Sequence, residues 1–252
     1  MSRNNEVVRM NKKLNYEKKG PKAVILFHAF TGTPLDVNTV GKALGRENYT
    51  VLMPTLDGHD EEDPNEILKY GIKDWVKNGE EAYQTLKADG YTDISVFGLS
   101  LGGVIATHLM LNEDVKSYGV FSSPVISTSK TNVPKIFWQW YAFKMKKLGA
   151  KEADIQSKQS AVMNRLEDIL LEINDYTEEM SKSYDSVELP VFIAQGGGDQ
   201  MISAKQAGAF RDALTHAPVD FHCYEQAPHV ITTGRIGKQL QKDLIAFLEN
   251  NA

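Results

Sequence analysis

Short apolar runs recur along the chain, and turns or stretches with helical spacing separate them. Glycine, proline or aspartate bounds most of these runs. Their length and continuous apolar character favour strands that are buried on both faces of a sheet. The predicted strands are 23–28, 49–53, 93–97, 115–121, 190–195 and 220–224.

Between these strands, apolar residues return at the three- and four-residue spacing of one helix face. The predicted helices are 36–47, 72–88, 101–111 and 236–250. Strands that alternate with helices form right-handed βαβ units, so we expect an α/β fold with a mostly parallel central sheet and helices on both faces. Sites in such sheets lie outside the carboxyl ends of the strands.

One segment, 124–188, breaks this alternation because it contains no convincing buried strand. It holds an aromatic cluster and then a charged helical stretch at 161–173. It is far longer than one crossover needs. We predict a small helical cap inserted after the fourth predicted strand, with 1–123 and 189–252 forming the core. Ordinary crossover helices are the alternative.

The amino-acid composition excludes several classes of protein. The 252 residues are 42% hydrophobic and 24% charged, as in soluble globular proteins. The formal net charge of −5 gives no sign of a nucleic-acid binder. The lone Cys223 excludes an internal disulfide and a cysteine-rich metal site. No apolar run approaches the ~20 residues of a membrane span. The first 22 residues are polar, so we expect no signal peptide, a cytoplasmic protein and no stable membrane anchoring.

The most informative segment is Gly-x-Ser-x-Gly at 98–102, between a predicted strand and a predicted helix. A tight strand-to-helix turn would hold Ser100 in a strained backbone conformation and lift its hydroxyl above the sheet. The helix N-terminus favours negative charge that develops nearby. The pentapeptide alone is a weak signal, and a glycine-rich packing turn is the alternative. In this context it predicts a nucleophile.

A serine hydroxyl needs a base. Of the six histidines, His229 follows the strand 220–224 and precedes the last helix, so its loop can reach back over the sheet. We predict that His229 is the base. The other histidines lie in an early loop, an acidic loop, a helix, a helix end and a strand: His28, His59, His108, His216 and His222.

The base in turn needs an acid that orients it and stabilises the imidazolium. Asp199 follows the strand 190–195 through three glycines that let the backbone turn sharply. We predict that Asp199 is this acid, although a turn aspartate bonded to its own backbone is a common alternative. Asp212 and Asp220 compete for the role, but we place them in a helix and at a strand start.

The oxyanion needs two donors. The backbone N–H of Leu101 is the first, because it follows the nucleophile directly. The second should come from the loop after the first buried strand, at 28–32, and we choose the N–H of Phe30.

With these residues in place, the chain resembles the α/β-hydrolase superfamily over nearly its full length, and the bacterial carboxylesterases and monoacylglycerol lipases within it. The supporting stretches are 28–32, 54–59, 98–103, 198–199 and 229–232. The resemblance implies the same Ser100–Asp199–His229 triad, N–H donors from Phe30 and Leu101, and a helical cap. Three positions depart from the family pattern: Ala29 and Pro228 replace glycines, and Asp60 follows Gly58-His59.

These parts predict a serine carboxylester hydrolase acting on short to medium acyl esters, with no metal or organic cofactor. An apolar acyl pocket is expected near the nucleophile. Its predicted residues are aromatic: Phe30, Trp138, Trp140, Tyr141 and Phe143. For the cap aromatics, packing against the core or against a partner chain is the alternative.

The fold alone does not fix the function. A monoacylglycerol lipase, a thioesterase, an aryl or cinnamoyl-type esterase and a peptidase stay open as enzymes. A ligand-binding hydrolase-fold protein would be expected to lack a triad member, and none is missing. An interaction module that forms a homo-oligomer through the aromatic cap is the remaining alternative. The expected partner is a small-molecule ester.

Overall fold

The computed structural model describes residues 14–126 and 131–251. Its strands are β1 (Leu14–Glu17), β2 (Lys22–Phe27), β3 (Thr50–Pro54), β4 (Asp93–Leu99), β5 (Tyr118–Phe121), β6 (Val191–Gly196) and β7 (Val219–Tyr224). They form one sheet in the order β1-β3-β2-β4-β5-β6-β7. β1 is antiparallel to β3, and every other pair is parallel.

Within the described residues the α-helices are α1 (Asn38–Arg46), α2 (Ile72–Ala88), α3 (Leu101–Asn112), α4 (Val133–Lys147), α5 (Glu152–Ser181), α6 (Ala204–Ala213) and α7 (Gly234–Asn250). Short 3₁₀ turns occupy Pro34–Asp36, Glu66–Lys69 and Tyr184–Ser186. Across these ranges, no helix combines the length and the apolar character that crossing a bilayer requires.

The predicted α/β fold is confirmed, and each predicted strand has a counterpart in the sheet. β1 was not predicted, because its four residues are largely polar. It is held by backbone pairing along β3, with Tyr16 opposite Leu52. The Tyr16 hydroxyl also donates to Asp89 at 2.6 Å.

Strands β2 to β6 are buried on both faces, which is why they read as continuous apolar runs, whereas the edge strand β7 is half-buried. In β2, Ile25 and Phe27 belong to the core cluster that includes α2, α3 and α5. Their neighbours Val24 and Leu26 point to the opposite face and belong to the cluster that includes α1 and α7.

Between β5 and β6 the described residues are mainly helical. They include α4 and α5, and the predicted helical stretch 161–173 lies inside the longer α5. α4 packs on α5, and α5 also contacts α2 and α3. The division into a core and a cap at 124 and 188 stays a prediction.

Candidate active site

Ser100 occupies a sharp turn between β4 and α3. Its φ of 55° is a conformation that non-glycine residues rarely adopt, and it signals backbone strain. Two flanking glycines make the turn possible. A Cβ on Gly98 would lie 2.0 Å from the carbonyl carbon of Gly102, and one on Gly102 would lie 2.4 Å from the Phe27 oxygen. The sequence 98–102 therefore folds as a nucleophile elbow would.

Asp199 and His229 are brought together from two separate loops. The first follows β6 and the second precedes α7. Nδ1 of His229 lies 2.7 Å from Oδ2 of Asp199. The carboxylate is an acceptor only, so Nδ1 carries the proton in neutral His229 and Nε2 is the free acceptor. Within the described residues this Nε2 is buried and has no hydrogen-bond partner, so no bond joins it to Ser100.

The Asp199 carboxylate is held by more than the imidazole. Its Oδ1 accepts the backbone N–H groups of Met201 at 2.7 Å and Ile202 at 3.0 Å. Burial raises the pKa of this carboxyl, but the hydrogen bond and charge of His229, with the two N–H groups, outweigh burial and lower the pKa. Asp199 is therefore ionised at neutral pH, as a partner of an imidazolium must be.

Two other histidines near the predicted oxyanion loop are held neutral. Nδ1 of His28 lies 2.9 Å from the Ala29 oxygen, and its Nε2 accepts the Leu56 N–H at 3.2 Å. Burial, followed by repulsion from His59, lowers the pKa of His28 to about 3. Burial lowers the pKa of His59 to about 4. His28 has both ring nitrogens engaged, so its role here is to connect loops.

The remaining alternatives are occupied elsewhere. His108 on α3 pairs with Glu80 at 3.0 Å. Nε2 of His222 lies 2.9 Å from Oδ1 of Asp220 within β7, but the two groups lack hydrogen-bond geometry. His216 lies in the exposed connection between α6 and β7. Asp212 is bonded to its neighbour Arg211 at 2.7 Å. The described contacts of these residues do not include Ser100 or His229.

The predicted oxyanion loop is anchored by a carboxylate that sequence reasoning missed. Oδ2 of Asp36 accepts the Ala29 N–H at 3.3 Å, and the backbone oxygen of Asp36 accepts the Thr232 hydroxyl at 2.5 Å. Asp36 therefore ties the loop that carries Phe30 to the loop that carries His229. Burial raises the pKa of Asp36, and the N–H groups it accepts only partly offset that rise. No sequence motif marks this position.

A cavity of about 950 Å³ opens beside Ser100. This volume is at the upper end of the ~300–1,000 Å³ of small-molecule pockets. Phe30, Ser100 and Leu101 line it together. Its other walls are residues 124, 126 and 131–134, Ile202 and one face of α5. The α5 residues are Met163, Asn164, Leu166, Glu167, Leu170, Leu171, Ile173, Asn174 and Thr177.

Of the predicted pocket aromatics, only Phe30 lines this cavity. The structure places the other four outside it: Trp138, Trp140, Tyr141 and Phe143. Tyr141 is fully buried, and its hydroxyl donates to Asn65 at 2.9 Å. Phe143 is 56% exposed. Trp140 lines a separate cavity of about 170 Å³ with His59.

The physical reason is that neighbouring positions on a helix point about 100° apart, so the aromatic run of α4 spreads over several faces. Phe137, which was not predicted for the pocket, stacks on Phe30 with ring centres 5.6 Å apart. The apolar wall beside Ser100 is instead supplied by α5. No cluster of three or more histidine, cysteine or acidic residues suited to a metal ion occurs within 14–126 and 131–251.

Known proteins are similar to this chain over most of its length. A carboxylesterase of Bacillus subtilis (strain 168) is 30% identical over 240 residues, which covers 92% of this chain and 94% of that protein. A thermostable monoacylglycerol lipase of Bacillus sp. (strain H-257) is 38% identical over 94 residues, 37% of each protein.

Solved structures share the fold at low sequence identity. A structure from a study of two metagenome-derived lipolytic enzymes, LipS and LipT, superposes with a TM-score of 0.73 at 15% identity, over 94% of this chain and 97% of that one. The monoacylglycerol lipase of Paleococcus ferrophilus gives 0.68 at 14% identity, over 95% and 100%. Residues 19–234 also match the family described as serine aminopeptidase, S33. The chain therefore belongs to this family of α/β hydrolases.

Proposed function

We propose that this protein is a serine carboxylester hydrolase that acts on short to medium chain acyl esters through an acyl-enzyme on Ser100. The observation that carries the proposal is the 2.7 Å contact between Asp199 and His229, which leaves Nε2 of His229 free to act as a base. The similarity to a Bacillus carboxylesterase over most of both chains supports the same activity.

In the first half of the reaction, Nε2 of His229 takes the Ser100 proton while Oγ bonds to the acyl carbon of the ester. The backbone N–H groups of Phe30 and Leu101 receive the negative oxygen. Asp199 stabilises the imidazolium. His229 then gives the proton to the departing alcohol, and the acyl group stays on Ser100.

In the second half, His229 removes a proton from water, and the resulting hydroxide attacks the acyl carbon. Collapse of the second tetrahedral intermediate breaks the bond to Ser100, and the serine oxygen recovers the proton from His229. The acid is released and the free enzyme is restored. This chemistry needs no cofactor.

The acyl chain would occupy the cavity between Phe30 and α5. Segment 124–188 would then act as a cap that sets the length of chain accepted. The proposed substrate is a small-molecule ester. Cytoplasmic localisation, and a homo-oligomer formed through the cap, stay predictions from the sequence.

Hydrolysis of p-nitrophenyl esters from acetate to palmitate tests the proposal, with Ser100→Ala alongside. We expect turnover to peak at short or medium chains and to be lost in Ser100→Ala. Ser203→Ala, at the exposed N-cap of α6, is the matched serine control and should keep wild-type activity. A folded wild type with no turnover on any chain would reject the proposal.

A monoacylglycerol is a second candidate substrate, favoured by the 38% identity to a Bacillus monoacylglycerol lipase over 94 residues. The same enzyme should be assayed on medium-chain monoacylglycerols and on an acyl thioester of equal length. A higher kcat/KM on the monoacylglycerol than on the thioester would indicate that glycerol is the alcohol group of the substrate. Preference for the thioester would redirect the assignment to a thioesterase.

A further inference from the structure

Gln195 is a buried polar residue that the mechanism above does not use. It lies in β6, one residue before the strand ends, and only 1% of it is exposed. The preceding strand residues, from Val191 to Ala194, are all apolar and buried. A buried amide costs free energy unless its donors and acceptor are bonded. The hydrogen-bond partners of Gln195 therefore indicate its role.

The side-chain nitrogen of Gln195 faces two acceptors. Nε2 lies 3.1 Å from Oδ2 of Asp199 and 3.1 Å from the backbone oxygen of Gly196. An amide presents two N–H donors on nitrogen and only acceptor capacity on oxygen. The opposite amide orientation would aim oxygen at a carboxylate and a carbonyl. The surroundings therefore fix which end of Gln195 meets Asp199.

With this contact, Asp199 is held by two donors on each oxygen. Met201 and Ile202 donate to Oδ1, while His229 and Gln195 share Oδ2. The donors come from the strand end, the loop after it and the loop before α7. This arrangement fixes the plane of the carboxylate as well as its position. A fixed acceptor oxygen restricts the orientations that the His229 imidazole can adopt.

We propose that Gln195 is a positioning residue of the acid–base pair, which holds Oδ2 of Asp199 toward His229 and tempers its negative charge. The inference rests on the proposed function, in which His229 is the base. The hydrogen bond from Gln195 stabilises part of the negative charge on Oδ2 of Asp199. Less of that charge is then available to stabilise the imidazolium form of His229. Gln195 thereby weakens the attraction between the Asp199 carboxylate and the imidazolium form of His229.

The test compares Gln195→Met, which keeps the length and removes the donors, with Gln195→Glu, which keeps the shape and adds a carboxyl group. The readout is kcat/KM against pH on the best ester. We expect the acidic limb to move to higher pH by up to about one unit in Gln195→Met. In Gln195→Glu a carboxyl buried beside Asp199 stays protonated and still donates to Oδ2, so its acidic limb should lie closer to that of the wild type. We also expect kcat at the plateau to fall about tenfold, with KM changed less than about twofold.

Gln239→Met is the matched control. Gln239 also donates to an aspartate, Asp243, at 2.8 Å, but on the exposed face of α7. Its pH profile should match that of the wild type. A lowered Tm in Gln195→Met with an unchanged limb and an unchanged kcat would overturn the proposal, because that result describes a purely structural role.

A second readout does not depend on turnover. The proton between His229 and Asp199 should give a downfield ¹H NMR resonance, assigned by its loss in His229→Gln. Gln195→Met should shift that resonance, and Gln239→Met should not. If the wild type hydrolyses no ester, the proposed function fails, and this resonance still decides the role of Gln195. An unmoved resonance would reject that role.

Discussion

Nδ1 of His229 lies 2.7 Å from Oδ2 of Asp199, although 30 residues separate them in the chain. Asp199→Asn would replace the acceptor with a group that can donate, which favours the wrong imidazole tautomer. We expect kcat to fall by about 10⁴-fold, as in other serine hydrolases with this change. Steady-state kinetics on the best ester measures it. Asp212→Asn changes an exposed residue of α6 and should leave kcat unchanged. A loss of less than tenfold in Asp199→Asn would contradict the assignment.

The bond between Asp36 and the Ala29 N–H predicts a second effect on catalysis. Asp36→Ala leaves that N–H without its carboxylate and releases the loop that presents Phe30. A hydrogen bond to a charged group contributes about 1.5–3 kcal/mol, so we expect kcat to fall about 10- to 100-fold. Asp36→Asn keeps an acceptor and should lose less. Equal kcat in Asp36→Ala and the wild type would show that the loop holds its shape unaided.

The cavity predicts which residues control acyl chain length. Leu170→Trp adds volume on the α5 wall beside Ser100, so we expect the preferred p-nitrophenyl ester to become shorter. Phe143→Ala removes a side chain that lies outside the cavity, so the preference should stay the same. The ratio of kcat/KM for butyrate to that for decanoate measures both variants. A change of this ratio in Phe143→Ala but not in Leu170→Trp would support the aromatic acyl pocket predicted from the sequence.

The buried histidines predict how stability depends on pH. Burial lowers the pKa of His59 to about 4 and, with repulsion from His59, that of His28 to about 3. The unfolded chain protonates such groups near about pH 6.5, so below that pH it binds more protons than the folded chain. The contribution of these histidines to the free energy of unfolding is fully present above about pH 6.5. It falls as the pH drops toward their lowered pKa values.

His59→Asn tests this linkage, since Asn keeps a donor in place of Nδ1 and cannot be protonated. Between about pH 6 and pH 5, the slope of the free energy of unfolding against pH should decrease by about 1 kcal/mol per pH unit. Urea denaturation at each pH gives that slope. A variant slope equal to that of the wild type would mean that His59 is not held neutral in the folded state.

Much of the site could be predicted because its residues follow strands. Ser100 and Asp199 follow buried strands, His229 follows the half-buried edge strand β7, and parallel strands present such positions at one edge of the sheet. The glycines around Ser100 also mark the turn directly. Asp36 and Gln195 carry no such mark, because the contact that gives each its role, with the Ala29 N–H or with Asp199, exists only in the folded chain.

The sequence by itself determined the α/β fold, the strand order along the chain and the helical character of segment 124–188, because apolar periodicity reports local structure. Tertiary structure alone decided the lining of the cavity, since an aromatic run such as that of α4 fits several helix faces equally well. Packing placed Tyr141 in the core, left Phe143 exposed and turned Leu166 and Leu170 of α5 toward the cavity that Ser100 also lines. Side-chain direction on a helix depends on what lies opposite, and the sequence of one helix does not contain that information.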